Sequence, residues 1–259
     1  MRIILSRKGW DGGFGGKASP VFPNGTIQSL PIDCWPTSPL YANIFPRAVV
    51  AQGFSDLGAF IGAYHTRWGT THPDAHLDPD LESGAYVRAT GWLPCFGQQS
   101  GAATHLDNKH VRVGDLFLFY GWFDDVAATG ARWVSLGNDR FVIWGWLQIG
   151  TIEVPPHVPP WLKYHPHVVN APHFSGNNRI YVSAPTLTSV DTSAKWAGGG
   201  AFTNEHPNRN LTALLGKRGT YPTRLPKWFS GSMSRHRQEH VVDTAGIPHA
   251  HAWLSSIFI

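Results

Sequence analysis

Two long apolar runs dominate the pattern of hydrophobic and polar positions along the chain. They cover residues 115–123 and 140–149, and both are nearly continuous in aromatic and β-branched side chains. Such runs are typical of strands that are covered on both faces, because polar residues do not alternate along them. The segment between the runs carries Gly, Asn and Asp residues of turn type, which predicts a hairpin-like connection.

Shorter patterns predict the remaining elements. Residues 1–5 are expected to form a strand that ends in a polar turn at 6–11, and residues 55–64 have the apolar spacing and N-cap residues of a helix. Residues 97–101 read as a loop bordered by glycines. Four more short elements are predicted: strands at 26–30, 85–89 and 179–183 and a helical turn at 211–215.

The spacing of Gly and Pro, which interrupt helices and strands, indicates the expected architecture. The chain contains 28 Gly and 20 Pro, which punctuate it throughout, so its elements should be short and its loops long. The proline-rich stretch at 155–160 is the best place for an internal boundary, although the part beyond it has few regular patterns. We therefore predict one α+β domain over residues 1–259: a sheet-centred, strand-rich mixed fold with long loops and few short helices.

Composition narrows the class of protein. Aromatic residues make up 13% of the 259 residues, which excludes a disordered chain, and the Gly and Pro content excludes long coiled coils. Lys and Arg number 21 against 17 Asp and Glu, so the formal charge is +4. This mild excess permits a nucleotide or nucleic-acid partner without requiring one.

The cysteines and the apolar segments indicate the compartment. Cys34 and Cys95 belong to no C-x-x-C pair, so we expect neither a disulfide-linked partner nor a cysteine-based zinc site. The apolar start of the chain is interrupted by two cations and does not fit a signal peptide. The longest apolar runs reach half of the ~20 residues that a membrane span needs. We expect a cytoplasmic protein without a membrane partner.

The polar turn after the first strand is a candidate anion site. It places a hydroxyl, two cations and the carboxylate of Asp11 before a glycine-rich loop, and glycines allow a ligand to approach the backbone. The spacing is neither that of a P-loop nor that of a dinucleotide-binding fingerprint. The alternative is a solvated turn. The expected phosphate-binding residues are Ser6, Arg7, Lys8, Gly16 and Ser19.

A polar loop further on combines imidazoles and carboxylates. His76 and Asp78 stand two positions apart and would face the same side of an extended segment. This suits an acid–base group with its orienting partner, or a metal pair. A metal site would need a third ligand from His65, His72 or His105. The pattern favours a polar loop lining a site, and we predict no metal.

Other residues could contact a substrate. Gln98 could hydrogen-bond a base edge, and Trp122 could stack on a base, although tryptophans in buried strands are usually core. Arg218 belongs to a second basic patch bordered by glycines. His165 and His167 resemble a metal pattern, but the intervening proline and the lack of a neighbouring acidic residue argue against it.

Six motifs follow one another along the chain: Ser6-Arg7-Lys8-Gly9-x-Asp11, Gly15-Gly16-x-x-Ser19-Pro20, Ser29-Leu30-Pro31-Ile32, His76-Leu77-Asp78-Pro79-Asp80-Leu81, Gly97-Gln98 and the run from Gly114-Asp115 to Phe123. Taken together and in this order, they resemble the motifs of the nucleotide modification associated domain 3 family. The match runs over most of the chain and is strongest up to about residue 150. Members look like components of phage and bacterial systems that hypermodify bases, so the resemblance implies a nucleotide-related role.

These observations predict an enzyme that acts on a nucleotide or nucleobase in a DNA or nucleotide modification pathway, by transfer or hydrolysis. Asp11 or the pair His76 and Asp78 would do the acid–base work, and the phosphate would bind at the N-terminal turn. No cofactor is indicated. Two alternatives stay open: a non-catalytic reader of modified bases, and a metal-dependent hydrolase that uses the loop histidines.

Overall fold

The computed structural model describes most of the chain. It covers residues 1–33, 39–65, 73–174, 176–190, 194–211, 226 and 239–259. Cys34, His72, Arg218 and all but the first residue of the predicted helical turn at 211–215 lie outside this part. Cys95 is a buried free thiol. Within the described residues, none of the helices combines the length and the apolar character needed to cross a bilayer.

Strands dominate the fold. They are β1 Arg2–Arg7, β2 Ser19–Val21, β3 Cys95–Gln99, β4 Leu116–Thr129, β5 Arg132–Ser135, β6 Arg140–Glu153, β7 Asn178–Ser183, β8 Gly199–Ala201 and β9 Glu239–Asp243. The α-helices are short: α1 Arg47–Val50, α2 Leu57–Tyr64, α3 Ser100–Asn108, α4 Pro166–Val169 and α5 Ala250–Ile257. Single 3-10 turns lie at Tyr41–Asn43, Pro160–Leu162, Ala171–His173 and Pro207–Arg209.

The nine strands of the described residues belong to one mixed sheet. Its main path runs β3-β7-β6-β4-β1-β9, while β2 and β5 add to β4, and β8 adds to β6. Strand β4 is parallel to β1 and β2, and the other pairs are antiparallel. The sheet joins β6 and β7, which lie on either side of the stretch at 155–160. The predicted α+β, sheet-centred class is confirmed.

The two central strands are covered on both faces, as their sequences predict. One face of the sheet carries a core that includes Phe96, Phe117, Phe119 and Tyr181. The other face packs Ile3, Leu5, Leu116 and Leu118 against α5, whose buried residues include Leu254 and Ile257. A third core surrounds α2, which begins after Asp56, whose carboxylate accepts a hydrogen bond from Ala59 N at 2.8 Å.

The strongest patterns predict the elements best. The strands at 115–123 and 140–149 are confirmed as the antiparallel pair β4 and β6, each longer than predicted, and their connection contains β5. The strand at 179–183 is confirmed as β7, and the helix at 55–64 as α2. Asp115 directly precedes β4 and accepts hydrogen bonds from the backbone amides of Arg2 and Arg112.

Three predictions are wrong. Residues 85–89 form no strand, and residues 26–30 make only isolated bridges to Val21 and Asn204. Residues 97–101 are not a loop, because they end β3 and begin α3. The first strand also continues to Arg7, so Ser6 and Arg7 belong to β1 and not to the turn. Pairing with the distant strand β7 gives residues 97–99 their extended backbone, and local sequence does not report such pairing.

The aromatic core makes a stability prediction. Phe117 is fully buried and its ring lies 5.1 Å from Phe96 and 5.0 Å from Tyr181. Phe117→Ala should lower the free energy of unfolding by about 3–5 kcal/mol, because it removes apolar contacts and leaves a cavity. The control Phe14→Ala removes a ring that is 48% exposed and should change stability by less than about 1 kcal/mol. Urea denaturation of both variants measures the difference, and equal losses would contradict the assignment of the core.

Candidate functional site

The carboxylate of Asp78 lies at the centre of a buried group of imidazoles. Nε2 of His76 is 3.5 Å from Oδ2 of Asp78, and Nε2 of His167 is 3.4 Å from the same oxygen. Nε2 of His165 is 3.4 Å from the other oxygen, Oδ1. The side chain of Asp78 is 4% exposed and that of His76 is 18% exposed, so His76 is the most accessible member. We call these four residues the Asp78 cluster.

Local backbone structure places the cluster. His76 and Asp78 lie on an extended segment that pairs with Cys95 of β3 through Asp80. The other two histidines flank Pro166 at the start of α4, where Nδ1 of His165 accepts a hydrogen bond from His167 N at 3.2 Å. The predicted contact between His76 and Asp78 is therefore present. The sequence argument against His165 and His167 does not hold, because Asp78 supplies the acidic partner.

Gly97 of β3 leaves the space that the cluster occupies. A Cβ atom at this position would lie 2.4 Å from Cδ2 of His167, well inside van der Waals contact. The backbone amide of Gly97 donates a hydrogen bond to Oδ1 of Asp78 at 2.8 Å. The glycine thus lets the histidine ring lie against the strand while its amide orients the carboxylate.

The pKa values of Asp78 and His165 are both lowered, but for different reasons. Burial by itself raises the pKa of the Asp78 carboxyl, but the imidazoles of His165, His167 and His76 outweigh it and hold the pKa well below its usual value. Burial lowers the pKa of His165, against the opposing effect of Asp78. The cluster therefore contains a carboxylate facing imidazole nitrogens, an arrangement suited to acid–base chemistry or to metal binding.

A second buried carboxylate, Asp80, anchors the same segment. It accepts hydrogen bonds from Arg88, from the indole of Trp92 at 3.3 Å and from the hydroxyl of Tyr164. Burial raises the pKa of Asp80 to about 6 in spite of the opposing Arg88. Because its oxygens are engaged by these three side chains, Asp80 holds the loop of Asp78 in place.

A third buried carboxylate, Glu239 of β9, lies on the other side of β3. Its Oε1 accepts hydrogen bonds from Ser6 Oγ at 3.2 Å, from Lys8 Nζ at 3.3 Å and from the side-chain amide of Gln98. Lys8 Nζ also lies 4.7 Å from the centre of the Phe96 ring. We call Ser6, Lys8, Gln98 and Glu239 the Glu239 cluster. It joins the two edge strands of the sheet, β3 and β9.

A cavity of about 780 Å³ adjoins the Asp78 cluster. Its wall includes Gly9 from the N-terminal turn, Asp78, Arg47 of α1 and Trp144 of β6. The size is in the range of small-molecule sites. Gly9 has a φ of +99°, and a Cβ atom there would lie 2.7 Å from Ser29 Oγ, so this tight turn requires glycine. The N-terminal turn and the His76–Asp78 segment thus line the same cavity.

The structure separates the residues expected to bind phosphate. Ser6 and Lys8 point into the Glu239 cluster, whereas Arg7 lies on the opposite face, 5.1 Å from the Phe141 ring centre. Gly16 is exposed in its loop. Ser19 is buried, and its hydroxyl accepts a hydrogen bond from Leu30 N at 3.1 Å. Within the N-terminal turn, Gly9 lines the cavity.

Two other predicted site residues are engaged elsewhere. Asp11 caps the glycine loop, because its Oδ1 accepts hydrogen bonds from Gly13 N and Phe14 N. Trp122 donates its indole N–H to Asp139 at 2.7 Å and packs on the α5 face of the sheet, so it does not meet Gln98. Sequence reasoning did not select Trp144, Arg47 or Glu239 as site residues.

The chain matches the family described as nucleotide modification associated domain 3 over residues 2–251 and belongs to it. The resemblance noted in the sequence is therefore confirmed. Neither the curated proteins nor the solved structures provide a significant match to the chain. The family description points to a role in nucleotide modification.

The Glu239 cluster makes a testable prediction. Glu239→Gln removes the charge that faces Lys8, whose side chain is 12% exposed, and should lower the free energy of unfolding by about 3 kcal/mol. The double variant Lys8→Met with Glu239→Gln should recover part of this loss, because the unpaired ammonium is gone. Denaturant unfolding of both single variants and the double variant gives the coupling. Strictly additive losses would show that the two groups do not interact.

Proposed function

We propose that the protein is an enzyme that modifies a nucleotide or a nucleobase, with the Asp78 cluster as its reaction centre and the adjoining cavity as its substrate site. One observation carries this proposal: Asp78 belongs both to the histidine cluster and to the cavity wall. An ionised buried carboxylate beside imidazoles is costly to build, and such groups are concentrated at functional sites. Membership of the family supports a nucleotide as the substrate.

The cavity offers contacts for both ends of a nucleotide. Arg47 is exposed at the wall and can pair with a phosphate, while the ring of Trp144 forms an aromatic part of the wall. We therefore expect the phosphate to bind at Arg47 and not at Arg7 and Lys8, which face opposite sides of the sheet. The reaction is a transfer or a hydrolysis, as proposed from the sequence.

A reader of modified bases is less well supported. An aromatic cage needs several exposed rings around one ligand, whereas Trp133 and Trp146 pack in the cores. Trp122 is bonded to Asp139 on the other face of the sheet. Incubation with DNA oligonucleotides and with 5′-nucleotides, followed by digestion and mass spectrometry, tests the two functions. Saturable binding without any change in mass would favour the reader and overturn the enzyme.

Substitutions at Asp78, His76 and Asp11 should distinguish residues of the proposed reaction centre from a residue that only caps the N-terminal turn. Asp78→Asn and His76→Gln should each lower turnover by about 100-fold or more, because each removes a titratable group from the proposed reaction centre. Asp11→Asn should retain activity within about two-fold, since among the described residues the Asp11 carboxylate contacts the turn amides and Arg7. Turnover is measured by mass spectrometry and folding by circular dichroism. Full activity in a folded His76→Gln variant would refute the proposed centre.

Arg47 should determine nucleotide affinity. Arg47→Ala should weaken the binding of 5′-mononucleotides by about ten-fold or more, as expected for the loss of a charge-assisted contact to phosphate. The matching nucleosides should bind equally to both proteins. Arg132→Ala is the control, because Arg132 is exposed on β5 and is not part of the cavity wall. Isothermal titration calorimetry measures the affinities, and equal weakening by both variants would exclude a phosphate contact at Arg47.

A further inference from the structure

The spacing of three ligand atoms in the Asp78 cluster fits a metal ion. One atom each from His76, Asp78 and His167 can be chosen so that all three lie within 4.8 Å of one another. The two contacts of Asp78 Oδ2, at 3.5 and 3.4 Å, are at the long limit for hydrogen bonds. Atoms bound at about 2.0–2.2 Å to one tetrahedral ion lie about 3.3–3.6 Å apart. The two distances to Oδ2 of Asp78 match the spacing of ligands that share one ion.

The partner of His167 determines which ring nitrogen carries the proton. Its Nδ1 lies 3.0 Å from Oδ1 of Asn178, and Asn178 Nδ2 donates to the backbone oxygen of His167 at 2.8 Å, which orients the amide. Because an amide oxygen only accepts, Nδ1 of His167 is the protonated nitrogen. When the ring is neutral, Nε2 is therefore the nitrogen that carries the lone pair, so it is the atom that could bind a cation together with Oδ2 of Asp78.

The two oxygens of Asp78 have different neighbours. Oδ1 receives the amide of Gly97 and faces Nε2 of His165. Since Nδ1 of His165 accepts from the His167 amide, its proton is on Nε2, and no other group in the described part of the chain bonds this buried nitrogen. Both donors therefore orient Oδ1, and Oδ2 is left to face His76 and His167. This is the usual arrangement of a carboxylate ligand whose second oxygen is held by neighbouring groups.

We propose that His76, Asp78 and His167 bind a divalent first-row transition metal ion, such as Zn²⁺, Mn²⁺ or Fe²⁺. Two imidazole nitrogens and one carboxylate oxygen suit these ions, whereas Mg²⁺ and Ca²⁺ prefer oxygen ligands. Asn178, His165 and Gly97 are positioning residues. Three protein ligands leave coordination positions open for water or substrate. This inference deepens the proposed function, since it assigns a cofactor to the same centre.

Metal binding is measured without turnover. The full chain, stripped with a chelator and dialysed, is titrated with Zn²⁺ by calorimetry and with Co²⁺ by visible absorption. One equivalent should bind, with Co²⁺ bands typical of low coordination number. His76→Gln and His167→Ala should weaken binding by about 100-fold or more, and Asn178→Ala by about 10–100-fold. Asn178→Asp, which keeps an acceptor for Nδ1, should restore most of the affinity.

Control variants distinguish the loss of a metal ligand from a general disruption of the fold. His157→Ala removes an exposed histidine outside the cluster and should bind as the unmodified protein does. Gly97→Ala keeps all ligand residues but displaces the His167 ring, so it should also weaken binding. Absence of stoichiometric binding, or equal binding by a folded His167→Ala variant, would overturn the metal site. Turnover that persists after the metal is removed would overturn the cofactor role while leaving the proposed function intact.

Discussion

The buried carboxylate of Glu239 connects the two edges of the curled sheet. It accepts hydrogen bonds from Gln98 on β3 and from Ser6 and Lys8 at the end of β1, and it belongs itself to β9. The Glu239 side chain is 2% exposed, and burying a carboxylate costs free energy unless a cation and hydrogen-bond donors surround it. The cluster therefore favours one arrangement of these strands. The position of β3, and therefore the site beside it, depends on this contact.

Strand β3 links the structural cluster to the reactive one. Neighbouring residues of a strand point to opposite faces, so Gln98 contacts Glu239 while Gly97 faces His167 and Asp78. The missing side chain of Gly97 is what allows an imidazole to lie against the strand. The same short strand therefore closes the sheet and supplies a backbone donor to the Asp78 carboxylate.

The sequence predicted the site in part. His76 and Asp78 meet as their spacing indicates, and Gly9 brings the N-terminal turn to the same cavity. The sequence pattern assigned Arg7 and Lys8 to one phosphate. The structure separates them, because β1 continues to Arg7 and the two side chains lie on opposite faces of the sheet. His165 and His167 were noticed for their spacing, but their acidic partner lies almost ninety positions earlier. A pattern of neighbouring residues cannot reveal such a partner.

The sequence by itself determined the central strands, the strand-rich α+β class and the family, because continuous apolar runs and ordered motifs are local properties. The tertiary structure alone decided which polar residues share a site. Asp78, His167 and Gly97 come from three separate segments, and pairing across the sheet brings them together. The physical reason is that buried charges need partners, and the chain satisfies that need through contacts between residues distant in sequence.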